Sequence, residues 1–251
     1  MGNHENIRGM ILAAGMGTRL GRYTRHQPKA LLQVGRYTLL EQAVKKLVSH
    51  GITHIVVNVH HHAQQVREYI ERQGGFGADM EISGEEDRLL DTGGGIFKAA
   101  PFLSRAPHCV VYNADVVSNI NLSRMIEKHL ASNALATLAV RERDASRYLL
   151  FDESGRLRAW KNVRTGEIMG DMAGNGELVP LAFSGIHVLS TKIFELYKAG
   201  TPSFPIIPVY LELARNHRVM AYPHNKDVWM DVGKPEQIEE AGNWLNENLK
   251  Y

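Results

Sequence analysis

Short apolar runs alternate with longer stretches of helical periodicity along the first 140 residues of the chain. The runs are rich in β-branched residues and predict strands at 9–14, 52–59, 79–83, 109–115 and 135–140. Between them, apolar residues recur every three to four positions and predict helices at 38–51, 62–73, 93–100 and 122–132. Strands that are apolar on both faces indicate a mostly parallel sheet covered by helices, with ligands bound at the carboxyl ends of the strands.

The pattern changes near residue 148, where the predicted elements become shorter and more polar. Strands are predicted at 148–152, 156–160 and 181–189, with a glycine-rich polar stretch at 165–177. We interpret this part as a small antiparallel elaboration that forms the second wall of a pocket. An amphipathic helix that begins with a proline is predicted at 234–249. No linker or repeat separates these parts, so we predict a single α/β domain over residues 1–251, with a Rossmann-like mixed sheet covered by helices on both faces.

Composition and charge exclude several classes of protein. Of the 251 residues, 44% are hydrophobic and 22% are charged, which is typical of a soluble globular domain. A net charge of +2 gives no electrostatic footprint for nucleic acid, so no such partner is expected. The single cysteine, Cys109, excludes an internal disulfide. Because no stretch reaches the ~18 apolar residues of a membrane span and the N-terminus lacks a signal-peptide pattern, we expect a cytoplasmic protein without a membrane partner.

The segment GMILAAGMGTRL, residues 9–20, joins the first predicted strand to a glycine loop, where backbone N–H groups can converge on an anion. A dinucleotide-binding fingerprint would need its third glycine at Leu20, but the next glycine is Gly21. The second predicted strand also ends near Asn58 without the acidic residue that binds a ribose. Neither GMGTRLGR nor TGGGIFKA has the lysine spacing of a P-loop, so both of these interpretations are disfavoured.

The remaining interpretation of this segment is a cradle for a nucleoside triphosphate. Gly15 and Gly17 would bring backbone amides to the phosphates, and Arg19 and Lys29 would place side-chain cations on the same phosphates. Pro28 would stiffen the approach of Lys29, because its ring restricts the backbone.

LAAGMGTRL followed by PKALL closely resembles the signature of the sugar-1-phosphate nucleotidyltransferases. The resemblance extends over nearly the whole chain through LLDTGGGIFKA at 89–99, VYNAD at 111–115 and WMDVGKPE at 229–236. It implies the nucleotide-diphospho-sugar transferase fold. The parts of that fold would be a nucleotide-binding part at about 8–141, a sugar-binding part at about 142–233 and a closing helix at 234–251.

The resemblance also implies roles for individual residues. The base and ribose are expected to lie against Leu12, Ala13, Ala14 and Gly15. The phosphates are expected to contact Gly17, Thr18, Arg19 and Lys29. The nucleobase is expected to contact Glu86, Thr92 and Gly93, and the sugar Lys161 and Gly185. The lysine of the family stands between Glu and Pro, whereas Lys161 stands in AWKNV.

Two aspartates suggest a metal site. Asp115 stands at the end of a predicted buried strand, and Asp231 lies in a short apolar-flanked segment more than a hundred residues later. Carboxylate and phosphate oxygens are the ligands that Mg²⁺ prefers. The resemblance implies a Mg²⁺ ion between Asp115 and Asp231, which with Arg19 and Lys29 form the expected catalytic group.

The reaction implied by the resemblance is transfer of a nucleoside monophosphate from a triphosphate to a sugar 1-phosphate, with release of pyrophosphate. A sugar 1-phosphate is a dianion near neutral pH, because its second pKa is roughly 6, so no side-chain base is required. Catalysis would consist of positioning and charge neutralisation.

Within the family, the segment DTGGGIFKA makes the chain most similar to the N-acetylmuramate 1-phosphate uridylyltransferases of cell-wall sugar recycling. This similarity favours UTP and N-acetylmuramate 1-phosphate as substrates. A heptose, mannose or glucose 1-phosphate with GTP, CTP or dTTP remains an alternative, as does a non-catalytic module that binds a nucleotide sugar. The expected assembly is a monomer or a small homo-oligomer.

Overall fold

The computed structural model describes residues 6–85, 88–172 and 176–248. Its strands, in chain order, are β1 (Ile7–Leu12), β2 (Gln33–Val34), β3 (Tyr37–Thr38), β4 (His54–Val59), β5 (Asp79–Gly84), β6 (His108–Asn113), β7 (Val116–Ser118), β8 (Ala136–Arg141), β9 (Arg147–Phe151), β10 (Leu157–Asn162), β11 (Ile168–Gly170), β12 (Val179–Ser190), β13 (Val219–Pro223) and β14 (Trp229–Asp231). Its α-helices are α1 (Leu39–Ser49), α2 (Ala63–Arg72), α3 (Asp91–Lys98), α4 (Ala100–Leu103), α5 (Leu122–Ala131), α6 (Ile193–Leu196), α7 (Ile206–Leu213) and α8 (Pro235–Asn248). Short 3₁₀ helices span Thr18–Thr24, Lys29–Leu31 and Gly74–Gly77.

Ten strands of the described ranges form one mixed sheet, in the order β11-β10-β9-β12-β6-β1-β4-β5, with β8 paired to β12 and β13 to β8. Strands β6, β1, β4 and β5 run parallel, so their carboxyl ends share one edge. The predicted antiparallel elaboration is present as β9, β10 and β11, which are antiparallel to one another, with β12 antiparallel to β9. The predicted α/β fold with a mixed, Rossmann-like sheet is therefore confirmed.

Strand β12 joins the two halves of the sheet. Residues 179–181 pair with β9, and residues 186–190 pair with β6. The register with β8 shifts between Phe183 and His187, and within this shift Gly185 has φ 73°. The positive φ allows the strand to change direction, as at other β-bulges.

Both faces of the parallel strands are buried, as the sequence predicted. Met10 and Val111 face one side of the sheet and pack with α3, α4 and α7. The adjacent residues Ile11 and Tyr112 face the other side and pack with α1, α2 and α5. Helices therefore cover both faces, and the open edge at the strand ends is where a ligand can reach the sheet.

Most strand boundaries shift by one or two residues from those predicted, and two of these shifts affect predicted site residues. Strand β1 ends at Leu12 rather than at 14, because Ala13 leaves the ladder and donates its N–H to the side chain of Asn58. Strand β6 ends at Asn113 rather than at Asp115, and Asp115 lies in a turn before β7. Each shift moves a predicted site residue from a strand into the loop edge.

In the described ranges, every helix is too short or too polar to cross a lipid bilayer.

Candidate active site

The glycine loop follows β1 and leads into the 3₁₀ helix Thr18–Thr24. Gly17 has φ 63°, and a Cβ placed on it would lie 2.9 Å from Thr24 Cγ2 and 3.1 Å from Lys29 Cβ. The Thr24 hydroxyl donates to the Gly17 carbonyl at 3.0 Å. Gly17 thus allows the loop to approach Lys29, because a larger residue would be strained there.

Gly15 differs from Gly17, since its surroundings do not require a glycine. A Cβ built on Gly15 would have no heavy atom within 4 Å, and the residue is exposed. A glycine at this position leaves the main-chain atoms accessible from solvent. This is the arrangement expected where a ligand approaches the main chain closely.

A buried polar network holds the start of the loop. Asn58 Oδ1 accepts from the Ala13 N–H at 2.7 Å, and Asn58 Nδ2 donates to Glu85 Oε1 at 2.6 Å. Glu85 Oε2 accepts from the Leu90 N–H at 2.9 Å. Asn58 and Glu85 are 2% and 1% exposed, so the network sets the loop's position from inside the protein.

The two predicted cations, Lys29 and Arg19, come from different segments and lie close to the same loop. Lys29 begins the second 3₁₀ helix after Pro28, and its Nζ donates to Asp115 Oδ2 in an ion pair. The guanidinium of Arg19 lies against Gly233, where an added Cβ would come within 2.7 Å of Arg19 Nη2. Gly233 therefore makes room for Arg19.

The two aspartates, although distant in sequence, are joined by backbone pairing. Strand β14 is antiparallel to β7, with Asp231 opposite Val116, and the Val232 N–H donates to the Asp115 carbonyl at 2.8 Å. Both side chains are partly exposed. The pairing brings the backbones of the two aspartates together at one corner of the site.

Two glutamines that the sequence analysis missed hold this corner. Gln42, 1% exposed on α1, donates to the Ala114 and Val116 carbonyls at 3.2 and 2.8 Å. Gln237 on α8 donates to Asp231 Oδ1 at 3.0 Å. Each glutamine fixes the backbone or the carboxylate next to one aspartate.

These elements enclose a cleft of about 310 Å³ at the carboxyl edge of the parallel strands. It is lined by Leu12, Ala13, Gly15, Met16, Gly17, Thr18, Arg19, Lys29, Ala30, Leu39, Leu89, Ala114, Asp115 and Gly233. The structure thus brings together most of the residues predicted for the base, ribose and phosphates. Ala14 is not part of this lining and is 7% exposed, and Asp231 lies beside the cleft.

The residues predicted for the nucleobase lie apart from this lining. Thr92 Oγ1 accepts from the Ile206 N–H at 3.1 Å, at the start of α7. Gly93 donates its N–H to the Phe204 carbonyl at 2.9 Å, and a Cβ on Gly93 would lie 2.5 Å from Phe204 Cδ2. These contacts pack α3 against α7. Glu86 lies outside the described residues.

The two residues predicted for the sugar occupy different surroundings. Gly185 faces Asn113 at the end of β6, and an added Cβ would lie 2.6 Å from Asn113 Nδ2. Lys161 is exposed on β10, where it pairs with Tyr148 and Ile168. Gly185 is therefore next to the strand that leads to Asp115, whereas Lys161 stands on the outer antiparallel strands.

The parallel sheet and the loop cleft at its carboxyl edge place the chain in the class of α/β nucleotide-binding proteins. Residues 8–161 match the family described as Nucleotidyl transferase, so the chain belongs to the nucleotidyl transferase family. It is 30% identical over 90% of its length to an N-acetylmuramate alpha-1-phosphate uridylyltransferase from Caulobacter vibrioides, and covers 92% of that protein. It is also 30% identical, over 94% of its length and 96% of the relative, to the protein of that name from Neisseria meningitidis. The predicted resemblance to sugar-1-phosphate nucleotidyltransferases is confirmed.

A solved structure supports the fold independently. A Bacillus anthracis protein determined in complex with sucrose superposes with a TM-score of 0.78, covering 98% of this chain and 97% of that one at 19% identity. A sequence identity this low supports a shared fold and says nothing about the substrate.

Proposed function

We propose that this protein transfers a uridylyl group from UTP to N-acetylmuramate 1-phosphate, releasing pyrophosphate and forming a nucleotide sugar. The observation that carries the proposal is the convergence of Arg19, Lys29 and Asp115 on the glycine-loop cleft, with Asp231 beside it. Relatives that cover nearly the whole chain and act on N-acetylmuramate 1-phosphate favour this substrate pair.

The proposed chemistry needs positioning and charge, and no side-chain base. The acceptor phosphate is a dianion at neutral pH, because its second pKa is roughly 6. One of its oxygens attacks the α-phosphorus in line, a new P–O bond forms, and the bond to pyrophosphate breaks. The bare Gly15 backbone holds the triphosphate, while Lys29 and Arg19 neutralise charge on the α-phosphate and the leaving group.

Asp115 and Asp231 are suited to hold a Mg²⁺ ion. Both are carboxylates, which supply the oxygen ligands that Mg²⁺ prefers, and both are partly exposed at one corner of the cleft. Mg²⁺ usually takes only one or two carboxylates and completes its shell with substrate phosphates and water. When bound there, Mg²⁺ would supply positive charge to the α-phosphate.

The remaining assignments rest on the resemblance to the family. We propose that Leu12, Ala13 and Ala14 lie against the base and ribose, and that Gly17 and Thr18 wrap the phosphates. Glu86, Thr92 and Gly93 are proposed at the nucleobase, where Thr92 and Gly93 would act through the α3 backbone that they position. Gly185 and Lys161 are proposed on the sugar side.

The test is pyrophosphate release by the purified protein with and without Mg²⁺. UTP, dTTP, CTP and GTP are each combined with N-acetylmuramate, N-acetylglucosamine, glucose, mannose and heptose 1-phosphates. We expect the largest kcat/KM for UTP with N-acetylmuramate 1-phosphate, and no release without Mg²⁺. A larger value for another pair would keep the reaction and replace the substrates. Nucleotide binding without release from any pair would favour the non-catalytic module.

A further inference from the structure

Two arginines lie over one indole ring beside Asp231. Arg141 ends β8, and Arg143 follows two residues later. The guanidinium carbon of Arg143 is 4.8 Å from the centre of the Trp229 ring, and that of Arg141 is 6.0 Å from it. Trp229 and Asp231 are alternate residues of β14 and project from the same face of that strand. The arginines therefore lie on the side of β14 from which Asp231 projects.

The indole is held firmly. Trp229 Nε1 donates to the Ser184 carbonyl at 2.9 Å, and His224 Nε2 lies 2.7 Å from the Ser184 hydroxyl. Ser184 precedes Gly185, the glycine predicted to face the sugar. A fixed aromatic platform next to that glycine can orient both guanidiniums, because cations stack favourably on indole faces.

Buried polar atoms around this platform lack partners. Six such side-chain atoms have no hydrogen bond among residues 6–85, 88–172 and 176–248, and three of them are Arg141 Nε, His224 Nδ1 and Asn113 Oδ1. Asn113 lies against Gly185, and His224 contacts Ser184. Unpaired buried polar atoms are rare in native proteins, so their grouping here indicates a place for a polar ligand.

Arg143 has no carboxylate partner within 4.0 Å among the described residues. Besides stacking on Trp229, its guanidinium donates to the carbonyls of Phe183 at 3.3 Å and Asp144 at 3.5 Å. Partial burial lowers the pKa of Arg143, the nearby Asp231 carboxylate opposes that change, and the Arg141 charge adds to it. Burial, followed by the Arg141 charge, lowers the pKa of His224 to about 4, so the imidazole is neutral at pH 7. The positive charge at this place therefore belongs to the guanidiniums.

The position of the arginines separates them from the reacting phosphates. Arg19 contacts Gly233, two residues after Asp231, whereas Arg143 and Arg141 stack on Trp229, two residues before it. Two residues of strand span about 7 Å, which is comparable to the width of one sugar ring. An acceptor whose 1-phosphate lies at Asp231 would extend its far side toward the arginines.

We propose that Arg143 and Arg141, stacked on Trp229, bind a carboxylate carried by the acceptor sugar and make the enzyme selective for acidic sugar 1-phosphates. The proposal rests on the proposed function and adds the part of the acceptor that is recognised. N-acetylmuramate 1-phosphate has such a carboxylate on its lactyl ether, and N-acetylglucosamine 1-phosphate is the same sugar without it. A guanidinium pairs with a carboxylate through two parallel hydrogen bonds, which gives geometric selectivity as well as attraction.

The experiment compares kcat/KM for these two acceptors in the wild type, Arg143→Gln, Arg141→Gln and Arg143→Lys. Loss of charged hydrogen bonds is expected to lower kcat/KM for the acidic acceptor about 10- to 100-fold in either glutamine variant, mainly through KM. The value for the neutral acceptor is expected to change less than about 3-fold. Arg143→Lys should restore part of the loss, because it keeps the charge without the bidentate geometry.

A matched control removes the same charge elsewhere. Arg218 immediately precedes β13 and lies beside the start of β8, whereas Arg141 is at the other end of β8. The guanidinium of Arg218 donates to the Ser132 carbonyl. Arg218→Gln should leave the preference for the acidic acceptor unchanged. Equal losses for both acceptors in Arg143→Gln would overturn the proposal, because the arginine would then act on the 1-phosphate that both share. A wild-type preference for the neutral acceptor would overturn it too, while leaving the proposed reaction intact.

Measuring the affinity of each sugar 1-phosphate tests the proposed carboxylate subsite without relying on catalytic turnover. Calorimetry with each sugar 1-phosphate, in the presence of Mg²⁺ and a non-hydrolysable UTP analogue, should show tighter binding of the acidic sugar to the wild type. That difference should shrink about 10-fold or more in Arg143→Gln. Equal affinities for the two sugars in the wild type would reject the carboxylate subsite even in a protein without catalytic activity.

Discussion

The side chain of Gln237 both caps a helix and donates to the carboxylate of Asp231, and the two contributions can be separated by substitution. Its Nε2 donates to Asp231 Oδ1 at 3.0 Å, and its Oε1 accepts from the N–H groups of Gly233 and Lys234, both at 2.9 Å. Gln237 is the third residue of α8, the position from which Gln or Glu reaches back to cap the start of a helix. Glutamate there would keep the two acceptor contacts and lose the donor to Asp231.

We predict that Gln237→Glu lowers kcat/KM about 10- to 100-fold with little loss of thermal stability. A hydrogen bond to a charged group contributes about 1.5–3 kcal/mol, and each 1.4 kcal/mol corresponds to a factor of about ten. The new carboxylate would also repel Asp231, which adds to the loss. The cap itself should persist, since a negative charge in the first turn of a helix is favourable.

Gln237→Leu is the companion variant, because it removes the cap and the donor together. Loss of a helix cap costs about 1 kcal/mol, which corresponds to roughly 2–4 °C in Tm for a domain of this size. Pyrophosphate-release kinetics and scanning calorimetry measure the two effects on the same samples. Wild-type kcat/KM in Gln237→Glu, together with a lower Tm in Gln237→Leu, would show that Gln237 is a cap alone and would refute its role at Asp231.

Four further substitutions test other parts of the structure. Arg19→Ala should lower kcat about 100-fold and change the nucleotide Kd less than about 10-fold, measured by single turnover and calorimetry, because in the proposed mechanism Arg19 acts on charge that develops during transfer. Gly17→Ala should destabilise the fold by about 1–3 kcal/mol in urea unfolding, since φ is 63° and the added Cβ lies 2.9 Å from Thr24, whereas Gly15→Ala has open space and should not. Burial lowers the pKa of Lys46 from 10.5 to about 8, although Asp227 opposes the shift. A lysine whose pKa falls on folding lowers the free energy of unfolding by its full amount below about pH 8, and it has no such effect above about pH 10.5. Lys46→Met should therefore raise the free energy of unfolding by about 3 kcal/mol at pH 7. That gain should disappear near pH 10.5, and an equal gain at both pH values would exclude the charge as its cause.

The sequence was informative where a function depends on a local segment. The β1 strand and its glycine loop were predictable, because an apolar run followed by closely spaced glycines is typical of a strand that leads into an anion-binding loop. Gly17 does adopt a left-handed conformation against Lys29. The end of β1 was predicted two residues too late because apolar residues continue past the last ladder bond, and Ala13 bonds to the side chain of Asn58 instead.

The parts that were missed depend on contacts between distant segments. Gln42 looked like an ordinary polar position of α1, yet it is 1% exposed and bonds to carbonyls more than 70 residues away. Helix α7 was not predicted, because a buried helix lacks the amphipathic period and this one contains Pro208. The Thr92 hydroxyl accepts from the N–H of Ile206, the first residue of α7, and no local pattern indicates this contact.

The charge balance of the cleft gives a physical reason for a divalent cation that does not depend on the family. Lys29 and Asp115 form an ion pair, and Arg19 and Asp231 add one charge of each sign nearby, so these four groups sum to zero. A triphosphate and a sugar 1-phosphate bring only negative charge to these four groups, whose own charges cancel. Like charges at 4 Å repel by about 4 kcal/mol at an effective dielectric constant of 20, so a phosphate that close to either carboxylate would be repelled. A cation between the carboxylates and the phosphates, such as the proposed Mg²⁺ ion, would replace that repulsion by attraction.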